Sequence, residues 1–220
     1  MAEYTFATRA ELISMIVDTL NRLGSTVIPE RAVSWIKLHE ARANRVIRER
    51  NMVVRATATL SEGHLRLPTD WREAQQVQLN VTGTDGTTRP RPLQYVTQEH
   101  ADRIRRDGQV LEPRYYTLVG NYLEVVPYPT EDLQIEMSYY KGVTPLGASG
   151  TAATNWLLEK HPDYYFYGSL VHSAPYLRDD ERIATWGTLA QAAQDEMLAE
   201  IERARYSGAR LKTRARLRNR

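Results

Sequence analysis

The sequence predicts an α+β protein: helices from both chain ends form a bundle, a small antiparallel β domain is inserted between them, and an extended basic arm follows. Apolar residues recur at helical spacing near both ends but alternate with polar residues in the middle. The last 18 residues hold eight Lys or Arg and no Asp or Glu. The expected domains are 1–52 with 153–206 for the helical bundle, 53–152 for the β-rich insertion with its connecting loop, and 207–220 for the extended C-terminal arm.

Two helices are expected at the N-terminus. Thr8 and Glu11 form a capping box ahead of an apolar repeat, which Gly24 stops. Pro29 suits the first position of a second helix, which should end near Asn51. The apolar positions of the pair include Leu12, Ile13, Ile16, Val17, Leu20, Leu23, Ala32, Ile36, Ala43, Val46 and Ile47.

From residue 53 the pattern changes to the two-residue period of strands. Thr97 is expected to cap a short helix that runs to about Asp107, and Gly120 with Asn121 favours a tight hairpin. The expected strands are 53–60, 65–67, 76–81, 91–96, 115–119, 122–126 and 133–140.

The chain then returns to helix. Residues 141–154 are rich in small residues and lack periodicity, which predicts an extended, exposed connection. Asn155 is expected to cap a short helical turn over 156–160, and Pro162 to open a helix that runs to about 177. A long helix from about 180 to 206 follows. Its apolar repeat is Ile183, Trp186, Ala190, Ala193, Met197, Ile201 and Ala204.

The basic arm is the part of the sequence most suited to specific contacts. Residues 1–202 hold 21 basic and 27 acidic residues, a net charge of about −6, which the whole-chain charge of +2 hides. A basic run is often only a solvated end, but two leucines among the charges predict apolar anchors. The expected contact residues are Arg203, Arg205, Arg210, Leu211, Lys212, Arg214, Arg216, Leu217, Arg218 and Arg220. An acidic protein groove or a nucleic acid would suit them.

The sequence lacks the residue patterns that metal, nucleotide and nucleophilic catalytic sites require. No Cys occurs, the five His have no metal-ligand spacing, and no phosphate-binding loop or nucleophile elbow is present. The acids that could form a glycosidase pair are Glu124, Glu131, Asp132 and Glu136, although solvated strands and turns give the same pattern. Neither a signal peptide nor a membrane span is expected. The sequence thus predicts no catalytic, cofactor or metal site and no enzyme activity.

An ordered series of packing and turn motifs lies between about residues 60 and 200. It consists of LPTDWRE at 67–73, RPLQYV at 91–96, PRYYTLVGNYLE at 113–124, NWLL at 155–158, HPDYYFYG at 161–168 and APYLRDDER at 174–182. This series resembles the adaptor proteins of tailed bacteriophages, also called head-to-tail connectors or head completion proteins.

The resemblance implies an architectural protein without a cofactor. Members have a helical bundle with a small β domain, and about twelve copies form a ring beneath the portal. They extend the DNA channel, help to retain the genome and provide the platform for tail or nozzle proteins. The implied partners are therefore the portal, tail or nozzle proteins, further copies of the chain and, without sequence specificity, the genomic DNA; no membrane partner is implied. The implied location is the head–tail junction of the virion, and the host cytoplasm during assembly. In related connectors the C-terminal arm docks on the portal, which implies that role for residues 203–220.

Tyrosine usage fits an assembling protein, since the chain has 13 Tyr against 2 Phe, and a ring with a polar tip suits interfaces. The candidate subunit or tail-protein contacts are Tyr115, Tyr116, Tyr122, Tyr128, Tyr139 and Tyr140. Alternatively, half of them complete the core of the β domain. The first two helices and the long last helix are expected to supply the two different faces that a ring needs.

Two other functions stay open at the level of sequence. In the first, the arm binds DNA by neutralising phosphates without reading bases. In the second, the β domain holds a cell-wall hydrolase, which requires a carboxylate of perturbed pKa in a cleft.

Overall fold

The structure is a computed structural model that describes residues 7–21, 24–82, 86–107, 112–129, 131–147, 153–177 and 181–206. Within those ranges it is a mixed α+β protein with six α-helices and two four-stranded sheets, which confirms the predicted fold class at that level. Contacts divide the chain into two compact units, Met1–Ile47 with Val143–Arg220, and Arg48–Gly142. The predicted arm at 207–220 lies outside the described residues.

The secondary-structure elements follow the predicted order of helices, strands and helices. They are α1 (Arg9–Thr19), α2 (Val27–Val46), a 3-10 turn (Arg50–Met52), β1 (Val53–Leu60), β2 (His64–Arg66), β3 (Trp71–Thr82), β4 (Thr88–Pro92), β5 (Gln94–Tyr95), α3 (Gln98–Arg106), β6 (Tyr115–Val119), β7 (Tyr122–Val126), β8 (Leu133–Lys141), α4 (Trp156–Lys160), α5 (Pro162–Leu177) and α6 (Arg182–Tyr206).

In the first unit, α5 lies at the centre and packs against α1, α2, α4 and α6. Two predicted helix caps are present there: the Thr8 hydroxyl accepts from the Glu11 N–H at 3.3 Å, and the Asn155 side-chain oxygen Oδ1 accepts from the Leu158 N–H at 2.9 Å. In the described ranges no helix has both the length and the apolar content to cross a membrane.

The predicted bounds of the second helix are wrong at both ends. Helix α2 begins two residues before Pro29, which therefore lies in the first turn, where its missing N–H costs no hydrogen bond. The helix ends at Val46 because Ile47 is extended, with ψ 135°. Ile47 is buried, so its apolar character continued the helical pattern although it does not belong to the helix.

The second unit contains both sheets. The first sheet has the order β1-β8-β3-β4 and is antiparallel throughout; the second has the order β2-β7-β6-β5, with β5 parallel to β6. The single strand predicted at 91–96 is wrong, because this segment passes from one sheet to the other. The Leu93 N–H donates to Val77 O at 2.9 Å, whereas the Gln94 N–H donates to Arg114 O at 3.0 Å.

The apolar core of this unit comes from both sheets. Its buried members are Leu60, Val77, Leu79, Leu93, Tyr116, Leu123, Val125, Ile135, Met137 and Tyr139. They alternate along their strands with polar residues, as expected of sheets with one solvated face. The first sheet has β1 and β4 as its outermost strands, and β4 contains Pro90 and Pro92.

Candidate interaction surfaces

Helix α2 binds the start of the connection that follows β8. The Asn44 side-chain oxygen accepts from the Val143 N–H at 2.7 Å, and one turn earlier Glu40 Oε1 accepts from the Leu146 N–H at 2.9 Å. Val143 and Leu146 are buried, so the exposed connection predicted at 141–154 is wrong for this part. Polar side chains of α2 satisfy the buried backbone groups that would otherwise need water.

Glu40 is the centre of a buried polar network. The Tyr165 hydroxyl lies 3.2 Å from Glu40 Oε1, and Asn155 Nδ2 donates to that hydroxyl at 2.8 Å and to the Thr144 carbonyl at 2.7 Å. Burial raises the pKa of Glu40, while hydrogen bonds from Leu146 and Tyr165 act in the opposite direction. The raised pKa therefore belongs to a buried structural carboxyl group.

His39 is buried between α2 and α5. Its ring centroid lies 4.4 Å from that of Tyr164 and 6.2 Å from that of His172. The pKa of His39 is lowered to about 3, mainly by burial and also by the nearby charges of His172 and Arg42. A Cβ on Gly168 would lie 2.0 Å from His39 Cε1, so this packing requires glycine. A helical wheel places His39 on the apolar side of α2 with Ala32, Trp35, Ile36 and Ala43, a signal that counting isolated histidines misses.

In the second unit, Tyr128 is fixed in place yet remains 43% exposed. Its ring stacks on His64 at 5.2 Å, and the Arg105 guanidinium lies 4.9 Å from its centroid. Arg105 in turn donates to Asp102 at 2.8 Å and to Glu124. A rigid, exposed aromatic ring of this kind suits an interface because little conformational freedom is lost on binding.

The other predicted contact tyrosines differ in exposure. Tyr122 is 49% exposed, Tyr115 and Tyr140 are half-buried, and Tyr116 and Tyr139 lie in the core. The Tyr139 hydroxyl donates to Asp70 at 3.0 Å. Tyr116 and Tyr139 therefore match the alternative in which half of these tyrosines complete the core of the β domain. An exposed ring not among the predicted contacts is Tyr95, at 58% exposure.

Two of the carboxylates considered for a hydrolase are held in ion pairs. Glu124 accepts from Arg105, and Glu136 lies 3.1 Å from Arg55 and accepts from Gln78 at 3.1 Å. An open cavity of about 440 Å³ in this unit is lined by Arg91, Pro92, Gln94, Glu112, Arg114 and Tyr115, none of which was among the four carboxylates considered. The described part of the chain has no group of three or more His, Asp or Glu arranged to hold a metal ion.

Only the first two of the predicted arm contacts fall in the described residues. Arg203 and Arg205 lie exposed in the last turn of α6, where positive charge is favourable to the helix dipole. The remaining eight, Arg210, Leu211, Lys212, Arg214, Arg216, Leu217, Arg218 and Arg220, lie outside them, and their contact role stays a prediction.

The molecule is thus a mixed α+β protein whose exposed aromatic and charged groups are suited to contacts with other macromolecules. The chain belongs to the SU10 adaptor protein family, whose model matches residues 7–217. This membership confirms the resemblance to phage adaptors noted from the motifs. No match is found among the curated proteins.

Proposed function

We propose that the protein is a structural adaptor of a phage virion, in which about twelve copies form a ring below the portal. The ring extends the DNA channel and provides the attachment platform for tail or nozzle proteins. The protein then resides at the head–tail junction, after assembly from the host cytoplasm, and performs no catalysis. Membership of the adaptor family across nearly the whole chain is the observation that carries the proposal.

The proposed domains have different tasks. Residues 1–52 with 153–206 act as the helical body and residues 53–152 as an inserted β domain, which the two compact units support. The net charge of about −6 over residues 1–202 suits a channel wall, because negative side chains repel phosphate and let DNA pass without adhering.

The basic arm is proposed to dock on the portal. Leu211 and Leu217 would be buried as apolar anchors, and the arginines would pair with portal carboxylates. Exposed Arg203 and Arg205 begin this basic run at the end of α6. The alternative is that the arm binds DNA non-specifically, which its eight basic and no acidic residues also favour.

Sedimentation of the full chain and of a variant ending at Tyr206 separates the two roles of the arm. Each is measured alone, with portal, and with short duplex DNA at two salt concentrations. We expect the full chain to join the portal in a stoichiometric ring and the truncated chain to fail. A matched variant, Leu211→Ser with Leu217→Ser, keeps every arm charge. It should weaken binding to the portal and leave binding to DNA unchanged.

The opposite result is equally clear. If the full chain ignores the portal but binds DNA with steep salt dependence, and the serine variant behaves like the unmodified chain, the arm neutralises phosphates. The adaptor proposal then loses its docking mechanism.

A further inference from the structure

Helices α2 and α6 each carry an exposed stripe of residues at alternating spacings of four and three. The α2 stripe consists of Val27, Arg31, Ser34, Leu38, Ala41 and Arg45. The α6 stripe consists of Thr185, Leu189, Ala192, Glu196, Ala199 and Arg203. All twelve side chains are exposed, while other faces of both helices pack against α5.

The spacing is that of a helix-pair seam, and six of the twelve residues are apolar: Val27, Leu38, Ala41, Leu189, Ala192 and Ala199. Alternation of three and four keeps a stripe facing one partner helix over several turns. Leu38 and Leu189 are 53% and 38% exposed, and each has small residues beside it on its stripe. Small residues let two helix backbones approach closely and leave room for the leucine of a facing stripe.

The two helices have opposite charge on their exposed sides. Arg31, Lys37 and Arg45 outnumber Glu30 on α2. From residue 183 to residue 202, α6 contains only acidic charges, namely Asp195, Glu196, Glu200 and Glu202, and all four are exposed. Faces of this kind attract one another across an interface and disfavour contact of either face with itself.

An antiparallel pairing of the stripes matches large residues with small ones. It sets Leu38 opposite Ala192 and Leu189 opposite Ala41, and it brings Arg31 near Glu196 and Glu200. The parallel alternative would instead set Arg45 against Arg203. Antiparallel helices also have favourably opposed dipoles.

We propose that the α2 stripe of one subunit packs antiparallel on the α6 stripe of a second copy of this chain, and that this is the subunit contact of the ring. The inference rests on the proposed adaptor function. Since the stripes are different surfaces, each pair leaves one α2 stripe and one α6 stripe free. Such a heterologous contact repeats until the ring closes.

A charge exchange tests the contact. Arg31→Glu and the pair Glu196→Lys with Glu200→Lys should each lower ring assembly on the portal at least tenfold. An equimolar mixture of the two variants should restore it. In an alternating ring a reversed α2 stripe then meets a reversed α6 stripe at every second interface, a native α2 stripe meets a native α6 stripe at the others, and both contacts are attractive. Arg72→Glu makes the same charge change at an exposed position outside both stripes and should assemble normally.

The absence of Cys from the chain permits a second test that depends on geometry alone. Leu38→Cys with Ala192→Cys should give, on oxidation of portal-bound protein, a ladder of covalent multimers up to the full ring. Leu38→Cys with Gln191→Cys moves one thiol about 100° around α6 and should give little cross-linking.

The outcomes distinguish the contact from the function. If the unmodified chain forms a ring but the charge variants assemble equally well and no ladder appears, the stripe contact is wrong and the adaptor proposal stands. If the unmodified chain forms no ring with or without portal, the adaptor proposal fails and the subunit contact fails with it.

Discussion

One missing side chain sets the distance between α2 and α5 at His39. Gly168 lies in α5 where any Cβ would overlap the His39 ring, whereas a Cβ on Gly187 in α6 would meet nothing within 4 Å. Both glycines are helical, so alanine improves helix propensity equally at the two sites. Their comparison therefore isolates the packing effect.

We expect Gly168→Ala to lower the free energy of unfolding by about 1–3 kcal/mol, because a tightly packed core resists an added methyl group. Gly187→Ala should raise it by about 0.5–1 kcal/mol through helix propensity. Urea unfolding followed by circular dichroism measures both. Equal stabilisation by the two substitutions would show that the His39 ring can move aside at little cost.

His39 also predicts how stability changes with pH. In the folded protein its pKa is about 3, against about 6.5 in the unfolded chain, so below pH 6.5 the unfolded state binds a proton that the folded state does not. Stability should therefore fall as pH drops from 6.5 towards 3, by about 5 kcal/mol at most. Burial also lowers the pKa of His172, which adds to this effect, while the raised pKa of Glu40 opposes it.

The test of the His39 prediction is the slope of the unfolding free energy against pH, and not the stability at any one pH. We expect His39→Phe to flatten the dependence of the unfolding free energy on pH between 7 and 4, whatever its effect at pH 7. An unchanged slope would assign the acid sensitivity to other groups. His172→Gln, which removes the half-buried neighbour, should flatten the slope less.

At the scale of elements, Glu40 on α2 holds the irregular segment around Leu146 in place through a hydrogen bond that its side chain accepts. Its Oε1 is the shared acceptor of the Leu146 N–H and the Tyr165 hydroxyl. We expect Glu40→Ala to lower the free energy of unfolding by about 1–3 kcal/mol, because two buried donors lose their acceptor. Glu40→Gln keeps an acceptor oxygen and should cost less than the alanine variant. Thermal unfolding of the two variants measures the difference. Equal losses of stability would mean that the charge of the Glu40 carboxylate matters more than its role as a hydrogen-bond acceptor.

Local signals predicted many elements but not the buried connection. The caps at Thr8, Thr97 and Asn155 are present because each is a short-range interaction between neighbouring residues. Burial at Val143 and Leu146 depends on Asn44 and Glu40, about 100 residues earlier in the chain. The split of residues 91–96 between two sheets likewise depends on distant partners, Val77 and Arg114, that no local pattern reveals.

For the whole molecule, Tyr122 is, with Tyr128, one of the two exposed rings among the predicted contacts with subunits or tail proteins. Tyr122→Ala should change the unfolding free energy by no more than about 0.5 kcal/mol, since the side chain contributes little to the core. We expect it to weaken capture of tail or nozzle proteins by assembled rings, measured by co-sedimentation. Tyr95→Ala, at a more exposed ring on the edge strand of the same sheet, is the matched control. Equal loss in both variants, or loss in neither, would remove Tyr122 from the proposed platform.

The sequence identified the adaptor family through motifs of packing and turn residues, and the family membership confirms it. The same motifs do not separate interface tyrosines from core tyrosines, because both occur at alternating strand positions. Tyr116 and Tyr122 lie in adjoining strands, yet one is buried and the other exposed. Exposure at this level depends on sheet stacking, which only the folded chain determines.

The two outermost strands of the first sheet differ in the backbone N–H groups that a further strand could pair with. Pro90 and Pro92 pair with Asn80 and Gln78 through β3, and neither proline can present an N–H to the other side. Strand β1 runs for eight residues from Val53 to Leu60 without a proline. An added strand, whether from another copy or from a different protein, would therefore pair more readily beside β1 than beside β4. Every residue of β1 has a backbone N–H, whereas the prolines interrupt the row of N–H donors on β4.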